Sequence, residues 1–273
     1  MKHEATLPSA GAQSVDRALS LVSLIGRHSG AGLSLSAIVD HTGLHKATVR
    51  RLLLALMRAG LVEQAGESRT YHLGEEAYLL GLLAQNRHGL LPQAIDSLRR
   101  LARETGDAAF VSVRRGLHAA CLHREDGDHP IRTYALMPGA HHPLGVGAGS
   151  LAMLAALPED EAEAVMDANR AEMEANYPRL SRDSLRALLA ETRDSGVALN
   201  PGLIFEDSWG LGVALRGPHG QLVGALSLAA VESRMKHPRR DDLVRALKDE
   251  ARVVERRLAA GAAPETQDEG TRR

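Results

Sequence analysis

Two short amphipathic segments meet at Gly43, and the second carries charge of one sign only. Residues 35–42 put Leu35, Ile38 and Val39 on one face behind Ser34, a suitable helix N-cap, and Gly43 stops them. Residues 45–59 repeat the three- and four-residue spacing through Val49, Leu52, Leu53 and Leu56, which turns Ala47, Arg50, Arg51, Leu54 and Arg58 to the opposite side. Gly60 closes this segment. Positions 41–60 hold Lys46, Arg50, Arg51 and Arg58 and no acid. A helix pair with so tight a turn, apolar within and cationic on its second member, suits one helix bracing while the other enters a DNA major groove. The blander reading is a small bundle with a solvated basic face.

The neighbouring segments favour the groove reading. Val15, Ala18, Leu19, Val22 and Ile25 predict a helix over 14–28 with Ser14 as its N-cap. Residues 61–64 and 70–73 are strand-like pieces separated by Ala65, Gly66, Glu67, Ser68 and Arg69, which predicts a hairpin. Residues 74–89, with Tyr78, Leu79, Leu82 and Leu83, predict a linker helix. Three helices and a hairpin make a winged helix-turn-helix. Arg50 and Arg51 can each bridge a phosphate or grip guanine O6 and N7. Lys46 and Thr48, near the start of the recognition helix, are placed for base edges or phosphate, and Arg69 in the wing for a flanking groove.

Whole-chain composition conceals this. The 273 residues carry 33 Lys+Arg against 34 Asp+Glu, a formal charge of -1, which excludes a uniformly basic nucleic-acid coat. Residues 1–88 hold nine basic and seven acidic side chains, and residues 89–273 hold 24 and 27. Seven aromatics are little material for a base-stacking platform, so single-stranded nucleic acid is not expected as a partner. One cysteine, Cys121, and an N-terminus without an apolar leader predict a cytosolic protein. The uncharged run 133–158 is long enough for a membrane span, but Pro138, Pro143 and Pro158, several glycines and two histidines make it strand, turn and buried helix instead.

Beyond the linker the rhythm changes. Helices are predicted over 92–105, 149–157, 158–176, 182–195 and 241–259, with strands near 108–114, 118–124, 132–136, 211–215 and 222–229. This mixture fits an α/β ligand-binding or catalytic domain. Gly145, Gly147 and Gly149 lack the βαβ setting and acidic ribose partner of a dinucleotide site, and no cofactor is expected. Gly147, Ala148 and Gly149 open a helix, where unpaired N–H groups favour a small anion or carbonyl; a tight turn for close packing explains the same spacing equally well.

The stretch SLSAIVDHTGLHKATVRRLLLALMRAGLVEQAGESRTYHLGEEAYLLG resembles the winged helix-turn-helix signature of the IclR family of bacterial transcriptional regulators. The matching positions are Leu44, Lys46, Thr48, Arg51, Leu52 and Leu53, then Gly60 and Leu61, then Tyr71, Leu73 and Gly74. Ala47 departs from it, where the family commonly has a hydroxyl residue. Residues 142–157 and 212–234 are similar to the effector domain of that family, which is GAF-like in fold. The resemblance implies an α+β protein: a winged helix-turn-helix over 14–74, a linker helix over 75–89, an effector-binding domain over 90–260, and flexible tails at 1–13 and 261–273. It tips Gly147, Ala148 and Gly149 toward effector binding and implies that Asn200, Gly210 and Ser227 line the same cavity, with Trp209 beside it as an apolar wall or a core residue. It also implies double-stranded palindromic operator DNA, a small carboxylic or aromatic acid effector, and self-association as dimer or tetramer.

Two other classes remain open on the residues alone. Cys121 and His123, alternating on one face of a strand with His118, His141 and His142 nearby, could make a thiol nucleophile or a metal sensor, although the spacing matches no standard zinc pattern. A constitutive DNA-binding oligomer is the other.

Overall fold

The computed structural model describes residues 12–28, 30–85, 89–131 and 136–261. The chain divides into two units, Met1–Gly89 and Leu90–Arg273. The first unit contains α1 (Gln13–Arg27), α2 (Leu35–Thr42), α3 (Lys46–Arg58), a hairpin of β1 (Val62–Gln64) and β2 (Tyr71–Leu73), and α4 (Glu75–Gln85). Its core is Leu21, Leu24 and Ile25 of α1, Ile38 of α2, and Val49, Leu52, Leu53 and Leu56 of α3, closed by Val62 and Tyr71 of the hairpin. In α3 these are the positions expected from helical spacing, and burying that stripe leaves the opposite one in solvent; in α1 the buried face is Leu21, Leu24 and Ile25, whereas Val15 and Leu19, expected on it, are exposed.

Local capping agrees with the sequence at α2 and departs from it at α1. The Ala37 N–H donates to Ser34 Oγ (3.2 Å), and Gly43 takes the left-handed conformation that ends α2. Ser14 does not cap α1: the helix starts at Gln13 behind Ala12, whose backbone is already helical, so Ser14 lies inside the first turn. The wing is fastened to the entry of α2 by paired backbone hydrogen bonds between Leu33 and Tyr71 (3.1 and 2.8 Å). The linker expected over 74–89 is helical over Glu75–Gln85; residues 86–88 lie outside the described residues.

The second unit contains α5 (Leu90–Thr105), β3 (Ala108–Arg115), β4 (His118–Glu125), β5 (His141–Pro143), α6 (Ala148–Ala155), α7 (Glu159–Ala168), α8 (Arg170–Asn176), α9 (Arg182–Ser195), β6 (Ala198–Pro201), β7 (Ser208–Arg216), β8 (Leu222–Val231), a 3-10 turn at Glu232–Arg234, and α10 (Arg239–Gly261). The strands form one antiparallel sheet in the order β5-β4-β3-β8-β7-β6. Alternation along the strands separates two faces. Ala109, Val111, Leu211, Val213, Leu215, Leu226 and Leu228 pack against α5 and α10. Ala119, Ala198 and Ala225 face the layer built by α6 to α9.

One expectation needs correction. The helix expected over 158–176 is two helices broken at Asn169, whose side-chain amide donates to the Leu117 carbonyl (2.7 Å). The strands β5 and β6 went unforeseen because three and four residues are too few for a periodic signal. The strand expected near 132–136 falls mostly at 132–135, outside the described residues. The turn before β3 is held by Asp107, 1% exposed at its side chain, which accepts from Arg234 Nε (2.7 Å) and from an Arg239 guanidinium nitrogen (2.6 Å). This pairing ties the start of α10 to the end of α5.

Candidate DNA interface and effector pocket

In the first unit, Lys46, Ala47, Arg50, Arg51, Leu54 and Arg58 are all exposed, while Val49, Leu52, Leu53 and Leu56 are buried. Positions 46, 50, 54 and 58 follow at four-residue steps and so form one stripe, with Arg51 beside it. Among the described residues no carboxylate pairs with Lys46, Arg50, Arg51, Arg58 or Arg69, so the stripe presents its charge to solvent. His45 precedes α3 without a side-chain cap, which leaves the helix N-terminus free to meet a phosphate. Thr48 is half-buried at this end. Arg69 is exposed in the wing loop, with φ of 54°, a left-handed backbone unusual for a non-glycine residue. Its carbonyl accepts from Gln64 Nε2 (2.9 Å), which fixes the loop.

In the second unit, a pocket of about 60 Å³ lies between the sheet and the start of α6. Gly147, Ala148, Gly149, Asn200, Trp209, Gly210 and Ser227 all line it, so the structure brings every sequence-expected residue of this group together. Phe110, Ser112, Ser227 and Ala229 come from one side of β3 and β8, opposite the residues that pack on α5 and α10. Two glycines allow the close approach. Gly147, at φ 82° and ψ 157°, takes a backbone form essentially closed to other residues. A Cβ at Gly212 would collide with the Ala148 carbonyl, so bare backbone lets α6 lie against β7.

The polar groups of the pocket are neutral. Its lining contains no Lys, Arg, Asp or Glu among the described residues. The first bond inside α6 runs from Leu151 N–H to Gly147 O (2.8 Å), so the N–H groups of Ala148, Gly149 and Ser150 have no acceptor within the helix. Ser150 Oγ accepts from Gly145 N–H (2.9 Å) and is occupied in holding the turn. Asn200 Oδ1 accepts from Leu203 N–H (3.1 Å), which commits that end of the amide to the turn after β6. The arrangement offers oriented donors and a positive helix end, suited to an anion or carbonyl that arrives without a protein counter-charge.

Sequence reasoning missed His142 as a member of this lining. It is on β5, opposite Ala119 of β4, and its Nδ1 lies 2.8 Å from the Tyr177 hydroxyl. Burial, with His141 beside it, pulls its pKa below the usual imidazole value. The expected shared face of Cys121 and His123 is corrected by a bulge: Ser112 pairs with Cys121 but Val111 pairs with His123, so Leu122 is inserted and the two side chains lie on opposite faces. Cys121 is buried, and desolvation pushes its thiol up to about 12, which keeps it protonated and poorly suited to nucleophilic attack or metal binding. His118 pairs with Glu172 (3.0 Å) and His123 with Glu125 (3.3 Å), and no three His, Cys, Asp or Glu among the described residues are grouped to hold a metal ion.

A winged helix-turn-helix with an open cationic stripe, in a chain whose other unit is an α/β sheet domain with a small-molecule pocket, defines a ligand-responsive transcriptional regulator. Residues 14–66 match the IclR helix-turn-helix domain, and residues 83–256 match the C-terminal domain of the bacterial transcriptional regulator IclR. The chain belongs to the IclR family, whose members are regulators and not enzymes. It is similar to the HTH-type transcriptional regulator TtgV of Pseudomonas putida, 31% identical over 190 residues, which cover 70% of this chain and 71% of that protein. Among solved structures it is similar to an IclR transcriptional regulator from Silicibacter sp. TM1040, with a TM-score of 0.80, 28% identity, and coverage of 92% of this chain and 98% of the other. It shares its fold with an IclR homolog from Microbacterium hydrocarbonoxydans complexed with 4-hydroxybenzoate, with a TM-score of 0.72, 20% identity, and coverage of 89% and 99%. Its second unit is accordingly an effector-binding domain, and its first unit binds DNA. No helix among the described residues is long and apolar enough to cross a membrane.

Proposed function

We propose that this regulator binds a palindromic operator as a cytosolic dimer or tetramer through Lys46, Thr48, Arg50, Arg51 and Arg69, and that a small organic acid in the α6 pocket sets its operator affinity. Gly147, Ala148, Gly149, Asn200, Trp209, Gly210 and Ser227 are the proposed effector contacts, in a sensor spanning 90–260. The segment at 75–89, helical over Glu75–Gln85, links it to the DNA-binding domain at 14–74. One observation carries the choice of an acid: the pocket gathers unpaired helix N-terminal donors and neutral polar side chains but, among the described residues, no carboxylate to repel an anion. The 4-hydroxybenzoate complex of a structural neighbour supports the same class. An engineered cavity of about 150 Å³ accepts benzene, so a pocket of about 60 Å³ must widen to admit an aromatic ring.

Self-association is supported by α4, whose Tyr78, Leu79, Leu80, Leu82 and Leu83 are between 43% and 71% exposed. An apolar patch of this kind marks an interface. The test is operator binding by the full chain, at fixed salt, across benzoate, 4-hydroxybenzoate and pyruvate. At least one acid is expected to raise the melting temperature and change operator affinity about 5- to 150-fold, the usual range of allosteric coupling. Operator binding that ignores every acid in the panel would leave a constitutive DNA-binding oligomer as the better reading.

A further inference from the structure

His142 belongs to the pocket but to none of the roles described above. Its Nδ1 is engaged by the Tyr177 hydroxyl at 2.8 Å, with the two rings edge to face. Its Nε2 is buried and has no hydrogen-bond partner among the described residues. A buried polar nitrogen without a partner is rare in folded proteins and calls for an explanation in terms of strain, ligand or water. This nitrogen is on a ring that lines the same cavity as the unpaired N–H groups at the start of α6.

The geometry points to His142 as the residue that reads the acid group of the effector, its Nε2–H donating to a carboxylate oxygen, with Tyr177 as the positioning residue that holds the imidazole in that tautomer. This rests on the pocket being the effector site. If the Tyr177 hydroxyl donates to Nδ1, the ring proton must be on Nε2, and His142 then adds a donor to those of Ala148, Gly149 and Ser150. The opposite tautomer would put an acceptor beside a helix N-terminus, where acceptor ligands are favoured, and the two would repel.

The pair also makes binding sensitive to pH. The groups acting on His142 are His141 on its own strand, His118 on β4, and Glu172 and Tyr177 from α8 and its end. Burial and the two histidines disfavour its charge, Glu172 opposes them, and Glu172 is itself paired with His118 at 3.0 Å. The imidazole of the free protein is therefore neutral near pH 7. A carboxylate against Nε2 favours the imidazolium, so binding takes up protons and tightens as the pH falls from neutrality toward the lowered value of the free imidazole.

The experiment is calorimetry on the full chain with benzoate, 4-hydroxybenzoate and pyruvate, in buffers of different ionisation heat, with 4-hydroxybenzamide as the uncharged control. The expected result is proton uptake with an acid and none with the amide. His142→Phe should weaken the acid about 10- to 100-fold, the loss of one hydrogen bond to a charged group. His142→Gln, which keeps a donor, should retain most of the affinity but lose the proton uptake, and Tyr177→Phe should reduce both without unfolding the domain. Melting curves of each variant separate lost binding from lost folding. An acid that binds the wild-type chain and is excluded by Ser227→Leu, yet binds His142→Phe and His142→Gln with unchanged affinity and pH dependence, overturns the role of His142 and leaves the pocket reading standing. Failure of all three acids to bind the wild-type chain overturns both.

Discussion

Arg51 projects from the solvent face of α3, unpaired with any acid among the described residues, so its loss should cost little in folding and much in recognition. Arg51→Ala is expected to lower discrimination between operator and random DNA by about 1–3 kcal/mol, the worth of a bidentate guanine contact, with an unchanged melting curve. Fluorescence anisotropy at one salt concentration checks it, and equal loss on both DNAs would demote Arg51 to a phosphate contact. Arg69 invites the complementary test, because its left-handed backbone, φ 54°, carries strain that glycine lacks. Arg69→Gly should raise the stability of the first unit by about 1 kcal/mol while weakening DNA binding. A denaturant midpoint that falls would show that the wing tolerates φ 54° without strain. Arg51 was legible in the sequence because helical spacing alone decides which side chains of an amphipathic helix face outward, and Arg69 because it falls in the turn between two strand-like pieces. His142 was not, since nothing in a histidine pair before Pro143 says which ring is buried or what occupies its other nitrogen.

At the scale of elements, the pocket depends on how closely α6 lies on β7. Gly212→Val would drive a side chain into the Ala148 carbonyl. It is expected to destabilise the second unit by about 1–3 kcal/mol, as overpacking does, and to abolish the response to acids while operator binding persists. Urea unfolding with a parallel DNA titration checks both halves. A second coupling joins α5 to α10, where Glu250 accepts from Arg100 Nε (2.8 Å) and Nη2 (2.6 Å). Desolvation, the largest single influence, raises the Glu250 pKa, but the hydrogen bonds from Arg100 and Ser97 and the charges of Arg100 and Arg257 together outweigh it and hold the carboxyl below its usual value. Its contribution is present above the unfolded-state carboxylate pKa, about 4.3, and is lost as the pH falls through the lower folded value. Glu250→Gln should therefore unfold more readily than the wild-type chain at pH 7, with the difference closing on acidification. A difference that persists at low pH would assign the effect to packing. Helices and long strands were readable from periodicity, whereas the break at Asn169 was not, because it follows from a hydrogen bond to Leu117, 52 residues earlier.

For the whole molecule, the near-zero net charge is a partition between two units, an acid-free recognition segment at 41–60 and a mildly acidic remainder. Operator affinity should consequently fall with rising salt even though the chain carries a formal charge of -1. The exposed leucines of α4 are the proposed contact for self-association. Leu83→Glu is expected to shift the protein from dimer to monomer in sedimentation and to weaken operator binding, because each half-site is then held by one recognition helix. A wild-type chain that sediments as a monomer would sink the dimer reading. The sequence by itself determined the family, the helix pair, the exposed basic stripe and seven of the residues that meet in the pocket, since these follow from local spacing and from motifs whose chemistry is carried by adjacent positions. Only the tertiary structure decided that Cys121 and His123 part at a bulge, that His142 and Tyr177 meet across 35 residues, and that the pocket holds about 60 Å³. Those outcomes depend on strand register and on the packing of α6 against the sheet, long-range quantities that periodicity within a single segment does not encode.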